Sequence, residues 1–293
     1  MGWKRLAVGA MAALAVVSSV AACGSDSGAD SKTVKIGVAD ASESYWQVFT
    51  KKAASAGITV DLVNFTDYNQ PNPALAEGEL QLNEFQHLLY LATYNQKNKQ
   101  SLVPIGATAV YPLPLYSTKH SAVDQIPRGG KVVIPNDPTN QARGLLVLRQ
   151  AGLITLRGGG NAFATIADID KGASKVSVTA VDAAQTAQSL DSADGAIVNN
   201  NYATAAKLGD DKIIAKDDPN SDAAKPYINV FVARAADKDN STYRKLVSIY
   251  HDPEVETAVK KSLGSNGILK NNDPAELQQL TTDLQKQVAA HGG

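Results

Sequence analysis

From Val34 onward, the chain alternates between segments with the two-residue periodicity of a β-strand and segments with the periodicity of an α-helix. Residues 34–38 alternate apolar and polar side chains, and residues 58–63 do so again after a helical segment at about 45–56. That helix is predicted to stop at Gly57, because glycine commonly follows a helix end. Such alternation predicts an α/β fold, in which sheets are flanked by helices.

The same alternation continues to the C-terminus. Asp137 and Pro138 are typical of the N-cap and first residue of a helix, and the segment from Asp273 to Glu276 resembles a capping box. We predict further strands at residues 131–134, 176–180, 195–198 and 228–232, and further helices at residues 74–78, 85–98, 138–151, 184–190, 253–263 and 274–288.

The length of the chain favours two lobes. About 260 ordered residues is near the size at which a single hydrophobic core divides into two. An extended, proline-interrupted segment ends at Tyr116, and a new unit is predicted to begin after it. Because open α/β sheets bind ligands outside the carboxyl ends of their strands, we expect a site in the cleft between the lobes.

The first residues have the pattern of an export signal. Lys4 and Arg5 precede an uncharged apolar run at residues 6–20, which is shorter than the ~20 residues that span a membrane. Small residues then lead to Cys23, the only cysteine of the chain, in a pattern that resembles the bacterial lipobox. We predict that residues 1–22 are a signal peptide and that Cys23 carries lipid such as palmitate. The alternative is a plain signal peptide with a cysteine nearby.

The segment at residues 23–32 is rich in Gly, Ser and Asp, which predicts a flexible tether. Removal of residues 1–22 leaves 271 of the 293 residues. It also takes away two basic side chains, so that the 28 basic residues fall to 26 against 29 acidic ones. This mild negative charge gives no basic surface for nucleic acid.

No motif in the sequence indicates an enzyme. The four histidines do not have the spacing of metal ligands relative to one another or to the cysteine. A nucleophile elbow, a P-loop and a dinucleotide-binding motif are absent from the sequence, and the run Gly158-Gly159-Gly160 is typical of a turn. We expect a binding protein without a metal or cofactor. An enzyme of the cell envelope and a structural lipoprotein are the alternatives.

Four residues in the first half of the chain are candidate ligand contacts. Tyr68 lies in a turn-rich loop after a strand, where ligand contacts are common. His87 and Tyr90 are neighbours at helical spacing, and with Phe85 they could form an aromatic surface. Such a surface suits a thioether, because sulfur packs well against ring edges. The alternatives are an ordinary capped turn for the loop and core side chains for the other three.

Four polar residues in the second half are further candidates. Asn140 and Arg143 lie in the first turns of a predicted helix, where an arginine can bind a carboxylate with two hydrogen bonds; a surface arginine is the alternative. Asn199 closes an apolar strand and offers both a donor and an acceptor, although asparagine is also typical of a turn. Asn229 lies inside an apolar strand, where an unpaired asparagine is costly.

Taken in order along the chain, these segments resemble the methionine-binding lipoproteins of ABC importers, the NlpA (MetQ-type) family. The resemblance runs from about Lys35 to about Lys270. The motifs that carry it are Phe65-Thr66-Asp67-Tyr68, Asn83-Glu84-Phe85-Gln86-His87, Ile134-Pro135-Asn136-Asp137-Pro138-Thr139-Asn140 with Arg143, Ala151-Gly152-Leu153-Ile154 and Tyr227-Ile228-Asn229-Val230. There are two departures. Gln81-Leu82 replaces an aspartate-alanine pair, and Gly144 replaces a more usual alanine, which would loosen its helix by ~1 kcal/mol.

The resemblance implies a two-lobe periplasmic-binding-protein fold, with a mixed sheet flanked by helices in each lobe and two crossovers between the lobes. Residues 33–116 would form the first lobe, residues 117–225 the second, and residues 226–293 would return to the first. The ligand would lie between the lobes and contact Tyr68, Phe85, His87 and Tyr90 with its side chain, Asn140 and Arg143 with its carboxylate, and Asn199 and Asn229 with its amino and carboxylate ends.

The function that the resemblance implies is capture of methionine and its delivery to the permease and ATPase of an ABC importer. The lipid on Cys23 would anchor the protein to the cell membrane. It would face outward, in the periplasm or on the outer face of the envelope. A methionine-containing dipeptide, D-methionine or another small amino-acid-like solute is the alternative ligand.

Overall fold

The computed structural model describes residues 33–263 and 267–291. The predicted signal peptide at residues 1–22, the lipidation site Cys23 and the tether at residues 23–32 lie outside the described residues. In the described part of the chain, no helix is both long and apolar enough to cross a membrane.

The described strands form two five-stranded sheets and a short two-stranded ribbon. The strands are β1 (Thr33–Val38), β2 (Thr59–Asn64), β3 (Leu82–His87), β4 (Leu102–Ala107), β5 (Ala109–Val110), β6 (Pro114–Tyr116), β7 (Lys131–Pro135), β8 (Ser177–Val181), β9 (Gly195–Ile197), β10 (Ile213–Lys216), β11 (Asn229–Arg234) and β12 (Ile268–Leu269). The sheet orders are β2-β1-β3-β11-β4 and β10-β6-β9-β7-β8, and β12 pairs with β5.

Helices cover both sheets. They are α1 (Ser44–Ser55), α2 (Pro71–Glu77), α3 (Leu88–Asn98), α4 (Pro138–Gln150), α5 (Asn200–Ala205), α6 (Ser241–Tyr250), α7 (Pro253–Leu263) and α8 (Pro274–Ala290). Asp137 caps α4 and Asp273 caps α8, in each case with a side chain that accepts a backbone hydrogen bond, and proline follows both caps as the sequence predicted.

The first sheet is mixed and is buried on both faces. β1 runs parallel to β2 and β3, whereas β11 pairs antiparallel with β3 and β4. In β11, Phe231 and Ala233 pack with the apolar residues of α1, α6 and α7, while Val230 and Val232 pack with those of α2, α3 and α8. A strand buried on both faces has a continuous apolar sequence, which explains the four apolar residues at positions 230–233 after Asn229.

The second sheet is also mixed. β7 runs parallel to β8 and β9, and β6 pairs antiparallel with β9 and β10. Leu145 and Leu148 of α4 pack on one face, and Ala203 of α5 packs on the other. Two short 3-10 turns, Ala183–Gln185 and Gln188–Asp191, stand where a helix was predicted at residues 184–190.

The chain passes twice between the sheets. The first crossing follows β5, and the second lies between β10 and β11. β6 lies before the lobe boundary predicted at residues 116 and 117, and it pairs within the second sheet. After the second crossing, β11 completes the first sheet and α8 packs on α3 and β4. The exact division into lobes stays a prediction.

The helix predicted at residues 85–98 is wrong in its first turn. Residues 85–87 belong to β3, and α3 begins only at Leu88. These residues are extended because β3 pairs with β1 on one side and with β11 on the other. The pairing with β11 joins segments more than 130 residues apart in sequence, and local periodicity does not reveal such a contact.

Candidate functional site

All eight side chains that the sequence singled out as ligand contacts line one cavity between the two sheets. They are Tyr68, Phe85, His87, Tyr90, Asn140, Arg143, Asn199 and Asn229. The first sheet contributes the end of β3, the start of β11 and the loop after β2, and the second sheet contributes the starts of α4 and α5. Such a position, at strand ends and helix starts, is common for ligand sites in α/β folds. Their contact with a ligand stays a prediction.

A register shift in β3 helps to place Phe85 at the cavity. At this point β3 has one residue more than β11, and Phe85 is the residue without a partner. Bulges of this kind redirect side chains beside functional sites. The ring of Phe85 lies 5.9 Å from that of Tyr68 and 5.8 Å from that of Tyr90, measured between centroids. We call these three residues the aromatic wall.

His87 is the N-cap of α3, and not a residue of its first turn as the helical spacing suggested. Its Nδ1 accepts a hydrogen bond from the backbone N–H of Tyr90 at 3.1 Å. Nδ1 therefore carries no proton, and the ring proton of the neutral imidazole is on Nε2. Nε2 is buried and has no hydrogen-bond partner among the described residues. The cavity thus contains an unused N–H donor.

The imidazole of His87 is neutral over the physiological pH range. Burial, and second the positive charge of Arg143, lower the pKa of His87 to about 3. Both act in this direction because they disfavour the imidazolium ion. The ring of Tyr227 lies edge-on at a centroid distance of 5.2 Å and completes the enclosure. His87 therefore offers the same Nε2–H donor from mildly acidic to alkaline pH.

A second unused polar atom lies at the end of a hydrogen-bond chain that starts at Asp137. The Asp137 carboxylate accepts hydrogen bonds from the backbone and side-chain amides of Asn140, at 3.0 and 3.1 Å. Asn140 Oδ1 in turn accepts from Asn199 Nδ2 at 3.1 Å. Asn199 Oδ1 is left buried, without a partner in the described part of the chain. It is an acceptor and can bind an ammonium group.

Arg143 extends from α4 and contacts both crossings between the sheets. Its Nε donates to Asp217 Oδ2 at 2.7 Å, and its Nη2 donates to the backbone oxygen of Tyr111 at 2.6 Å. The guanidinium carbon lies 4.1 Å from the ring centroid of Tyr227, which is a cation–π contact. Among the described residues Nη1 has no partner. The guanidinium plane is thus fixed, with one nitrogen left for a ligand.

Contacts between the loop after β2 and α5 close the cleft. The Tyr68 hydroxyl donates to Asn201 Oδ1, and the Tyr202 hydroxyl donates to the Thr66 backbone oxygen at 3.0 Å. Asn201 Nδ2 donates to the Ala39 backbone oxygen at 3.3 Å. The rings of Tyr68 and Tyr202 lie 5.0 Å apart. A ligand in the cavity would therefore be enclosed by both sheets.

Several residues of this site were not predicted from the sequence. Asp40, Glu84 and Tyr111 line the cavity, and Asp217 forms the ion pair with Arg143. Asp217 lies in a polar stretch without periodicity, so the sequence offers no local signal for its role. Glu84 belongs to one of the motifs that carry the family resemblance, but its burial depends on strands that are distant in sequence.

The cavity lining combines donors, acceptors and an apolar surface. Among the described residues, His87 Nε2 is an unused donor and Asn199 Oδ1 an unused acceptor, and the two hydrogen bonds of Arg143 involve Nε and Nη2 but not Nη1. Asp40 and Glu84 line the same cavity. The aromatic wall supplies the apolar part. Such a lining suits a small zwitterion with an apolar side chain. No group of three or more His, Cys, Asp or Glu side chains that could hold a metal exists among the described residues.

Comparison with known proteins gives consistent matches over most of the chain. The profile of the NlpA lipoprotein family matches residues 34–270. A probable D-methionine-binding lipoprotein MetQ of Haemophilus influenzae is 36% identical over 242 residues, which cover 81% of this chain and 86% of that protein. The solved substrate-binding protein of a methionine transporter from Streptococcus pneumoniae is 36% identical, with a TM-score of 0.76, and the match covers 81% of this chain and 95% of that one.

A nutrient-binding protein from Burkholderia cenocepacia, solved bound to methionine, is also 36% identical, with a TM-score of 0.74 and coverage of 81% of this chain and 99% of that one. The predicted two-lobe α/β binding-protein fold is confirmed by these structures and by the two mixed sheets. The prediction of a solute-binding protein and not an enzyme is confirmed as well. The chain belongs to the NlpA lipoprotein family.

Proposed function

We propose that this protein captures methionine outside the cytoplasm and delivers it to the membrane permease of an ABC importer. The observation that carries the proposal is the pair of unused atoms, His87 Nε2 and Asn199 Oδ1, buried beside one cavity in the described chain. An unpaired buried polar group costs about 1–3 kcal/mol, and a ligand with complementary groups would remove that cost. Relatives whose names state methionine binding or transport support this choice of ligand.

The carboxylate of the ligand lies at Arg143 in this proposal. Nη1 is the guanidinium nitrogen that the described residues leave free, and hydrogen bonds between an arginine and a carboxylate are short and strong. Asn229 begins β11 directly opposite His87, so its amide also faces the carboxylate end. Asn199 Oδ1 accepts from the ammonium group, and Asn140 holds Asn199 in place through their hydrogen bond.

The thioether side chain of the ligand packs against the aromatic wall. Tyr68, Phe85 and Tyr90 have mutual ring distances of 5.8 to 6.3 Å, with tilted or edge-to-face geometry. A sulfur about 5 Å from a ring contributes about 0.3–1.5 kcal/mol. The wall therefore favours methionine over an amino acid with a polar side chain.

A dipeptide that ends in methionine is the second candidate. A neighbouring cavity shares Asp40, Tyr111 and Asn201 with the first, which leaves room beyond the amino end of a single residue. D-Methionine uses the same carboxylate and side-chain contacts and differs only in the direction of its ammonium group. Binding measurements with L-methionine, D-methionine and glycyl-methionine distinguish the three ligands.

We further infer that lipid on Cys23 anchors the protein to the membrane, on the outward side, where it meets the permease and its ATPase. The lipobox pattern and membership of a lipoprotein family support the anchor. The two lobes, each built on one of the five-stranded sheets, close on the ligand by bending at the two crossings in this proposal. Arg143 contacts both crossings, and this supports a link between ligand capture and closure.

Native mass spectrometry of the purified protein tests the proposal. We expect a bound species that leaves on denaturation and has the mass of methionine, and a 1:1 complex when methionine is added to stripped protein. Asn199→Ala is expected to weaken binding at least about tenfold, since it removes a hydrogen bond to a charged group. The matched control is Asn271→Ala, at an exposed position outside the cavity. A protein that bound neither methionine nor the dipeptide would refute the proposal.

A further inference from the structure

Two carboxyl groups at the cavity, the buried Glu84 and the half-buried Asp40, have no part in the function described so far. Glu84 is only 5% exposed and accepts a hydrogen bond from Thr108 Oγ1 at 2.8 Å. Asp40 accepts hydrogen bonds from the Tyr45 hydroxyl at 2.7 Å and from Trp46 Nε1 at 2.8 Å. Both residues line the cavity that contains the unused donor and acceptor. We call Asp40 and Glu84 the carboxyl pair.

Among the described residues, the ionisable groups that act on the carboxyl pair carry no positive charge. They are Glu43, which acts on Asp40, and Tyr45 on α1, Tyr111 after β5 and Tyr250 on α6, which face Glu84. Burial, and second the charge of Asp40, raise the pKa of Glu84 to about 8. Burial also raises the pKa of Asp40. The empty site therefore holds a proton on the pair at neutral pH.

The fixed positive charge of the cavity lining is already balanced. Arg143 forms its ion pair with Asp217 at 2.7 Å, and His87 is neutral. On the opposite side of the cleft, Asn201 of α5 donates to the Ala39 backbone oxygen, the residue before Asp40. This contact brings the start of α5 to the residue before Asp40. Asn199 Oδ1 and the carboxyl pair therefore belong to the lining of one cavity, and all of them are acceptors for an ammonium group.

We infer that the carboxyl pair recognises the ammonium group of the ligand and releases one proton to the solvent when the ligand binds. The inference rests on the proposed capture of a zwitterion. The ligand enters with its ammonium group intact, the O–H bond of the Glu84 carboxyl breaks, and the electron pair stays on the carboxylate beside the ammonium group. The proton passes to water, and no bond of the ligand changes. The exchange is favourable because a neighbouring cation stabilises the ionised carboxyl.

This linkage fixes how affinity changes with pH. Below the pKa of the empty pair, binding must displace a proton, so affinity rises with pH by up to about tenfold per unit. Above about pH 8 the pair is already ionised in the free protein, and the rise ends. His87 does not contribute to this range, because its pKa of about 3 leaves it neutral throughout.

Calorimetric titration with L-methionine at pH 7, in two buffers of different ionisation enthalpy, counts the released protons. We expect about one proton per ligand for the parent. We expect almost none for Glu84→Gln, since an amide has no proton to lose. The desamino analogue 4-(methylthio)butanoate should release none from the parent. Glu79→Gln, at an exposed position, is the matched control and should release as many protons as the parent.

The pH profile of the parent gives an independent test that needs no variant. Affinity for methionine should rise between pH 6 and pH 8 and then level off. Methionine binding with a flat profile, without proton release, or with equal release from Glu84→Gln would overturn this inference and leave the proposed function intact. A parent that bound no methionine at all would refute both.

Discussion

Replacing Arg143 with lysine keeps the positive charge of the cavity and removes the guanidinium fork. In the parent, Nε binds Asp217 at 2.7 Å and Nη2 binds the Tyr111 carbonyl at 2.6 Å, which leaves Nη1 for the ligand. A lysine has a single nitrogen at the end of a flexible chain, so it cannot serve three acceptors in these fixed directions. We therefore expect Arg143→Lys to lose ligand affinity.

The size of the loss follows from the bond between Nη1 and the carboxylate. A hydrogen bond to a charged group contributes about 1.5–3 kcal/mol, so its loss should raise the Kd for methionine by about 10- to 150-fold. The Arg143→Lys substitution should change the free energy of unfolding by less than it changes the free energy of methionine binding. The Asp217 side chain is 21% exposed, and it keeps a cation within reach in the variant.

Titration calorimetry measures the Kd, and thermal unfolding measures the stability of each variant. Arg149→Lys, at the exposed end of the same helix, is the matched control and should leave both unchanged. An Arg143→Lys protein that bound methionine as tightly as the parent would refute the assignment of Arg143 as the carboxylate clamp. A variant that failed to fold would refute the separation of binding from stability.

Three further predictions follow from single contacts. Asp217→Asn keeps the side-chain length but removes the charge that orients Arg143, so calorimetry should show a Kd for methionine about 3- to 30-fold higher; an unchanged Kd would contradict a positioning role. His87 binds its proton at about pH 3 in the folded protein and near pH 6.5 in the unfolded chain, so its contribution to stability is complete above pH 6.5 and is lost as pH falls. Urea titrations measure the free energy of unfolding at each pH. Below pH 6 this free energy should fall more steeply with decreasing pH in the parent than in His87→Gln, with a difference in slope of about 1.4 kcal/mol per pH unit. Equal slopes in the two proteins would contradict the lowered pKa of His87. Gly144→Ala places a methyl group 3.4 Å from its nearest neighbour and should stabilise α4 by up to about 1 kcal/mol. Gly106→Ala places a methyl group in collision with a side chain of α6 and should destabilise the protein. Melting temperatures that shift in the same direction in both variants would contradict this prediction.

The candidate ligand contacts could be predicted from the sequence because they lie beside helix starts and strand ends that short sequence patterns reveal. Asp137 and Pro138 mark the start of α4, and this places Asn140 and Arg143 at its first turns. The apolar run before Asn199 marks a buried strand end. The resemblance to a known family joined these positions into one proposed site, and the structure brings them to the same cavity.

Other features of the fold depend on contacts that the sequence does not display. Residues 85–87 have helical spacing to Tyr90, but pairing with β11 makes them a strand with a bulge at Phe85. Strands β4 and β10 and helices α5 and α6 were not predicted. The proline at position 104 of β4 and the shortness of β10, which has only four residues, weaken the usual strand signals.

The acidic side of the site could not be predicted for a related reason. Asp40 follows β1 and Glu84 lies within β3, and each looks like an ordinary polar residue of its segment. They meet because β1 and β3 are parallel neighbours, with Val38 opposite Glu84. Burial and mutual repulsion, which give the pair its chemistry, arise only after that pairing is formed.

A crystal structure of the protein with L-methionine tests the central claim most directly. We predict one methionine in the cavity, with its carboxylate within hydrogen-bond distance of Arg143 Nη1 and its ammonium group at Asn199 Oδ1. Its sulfur should lie against the rings of Tyr68, Phe85 and Tyr90. Methionine bound elsewhere, or in this cavity with its carboxylate turned away from Arg143, would contradict the account.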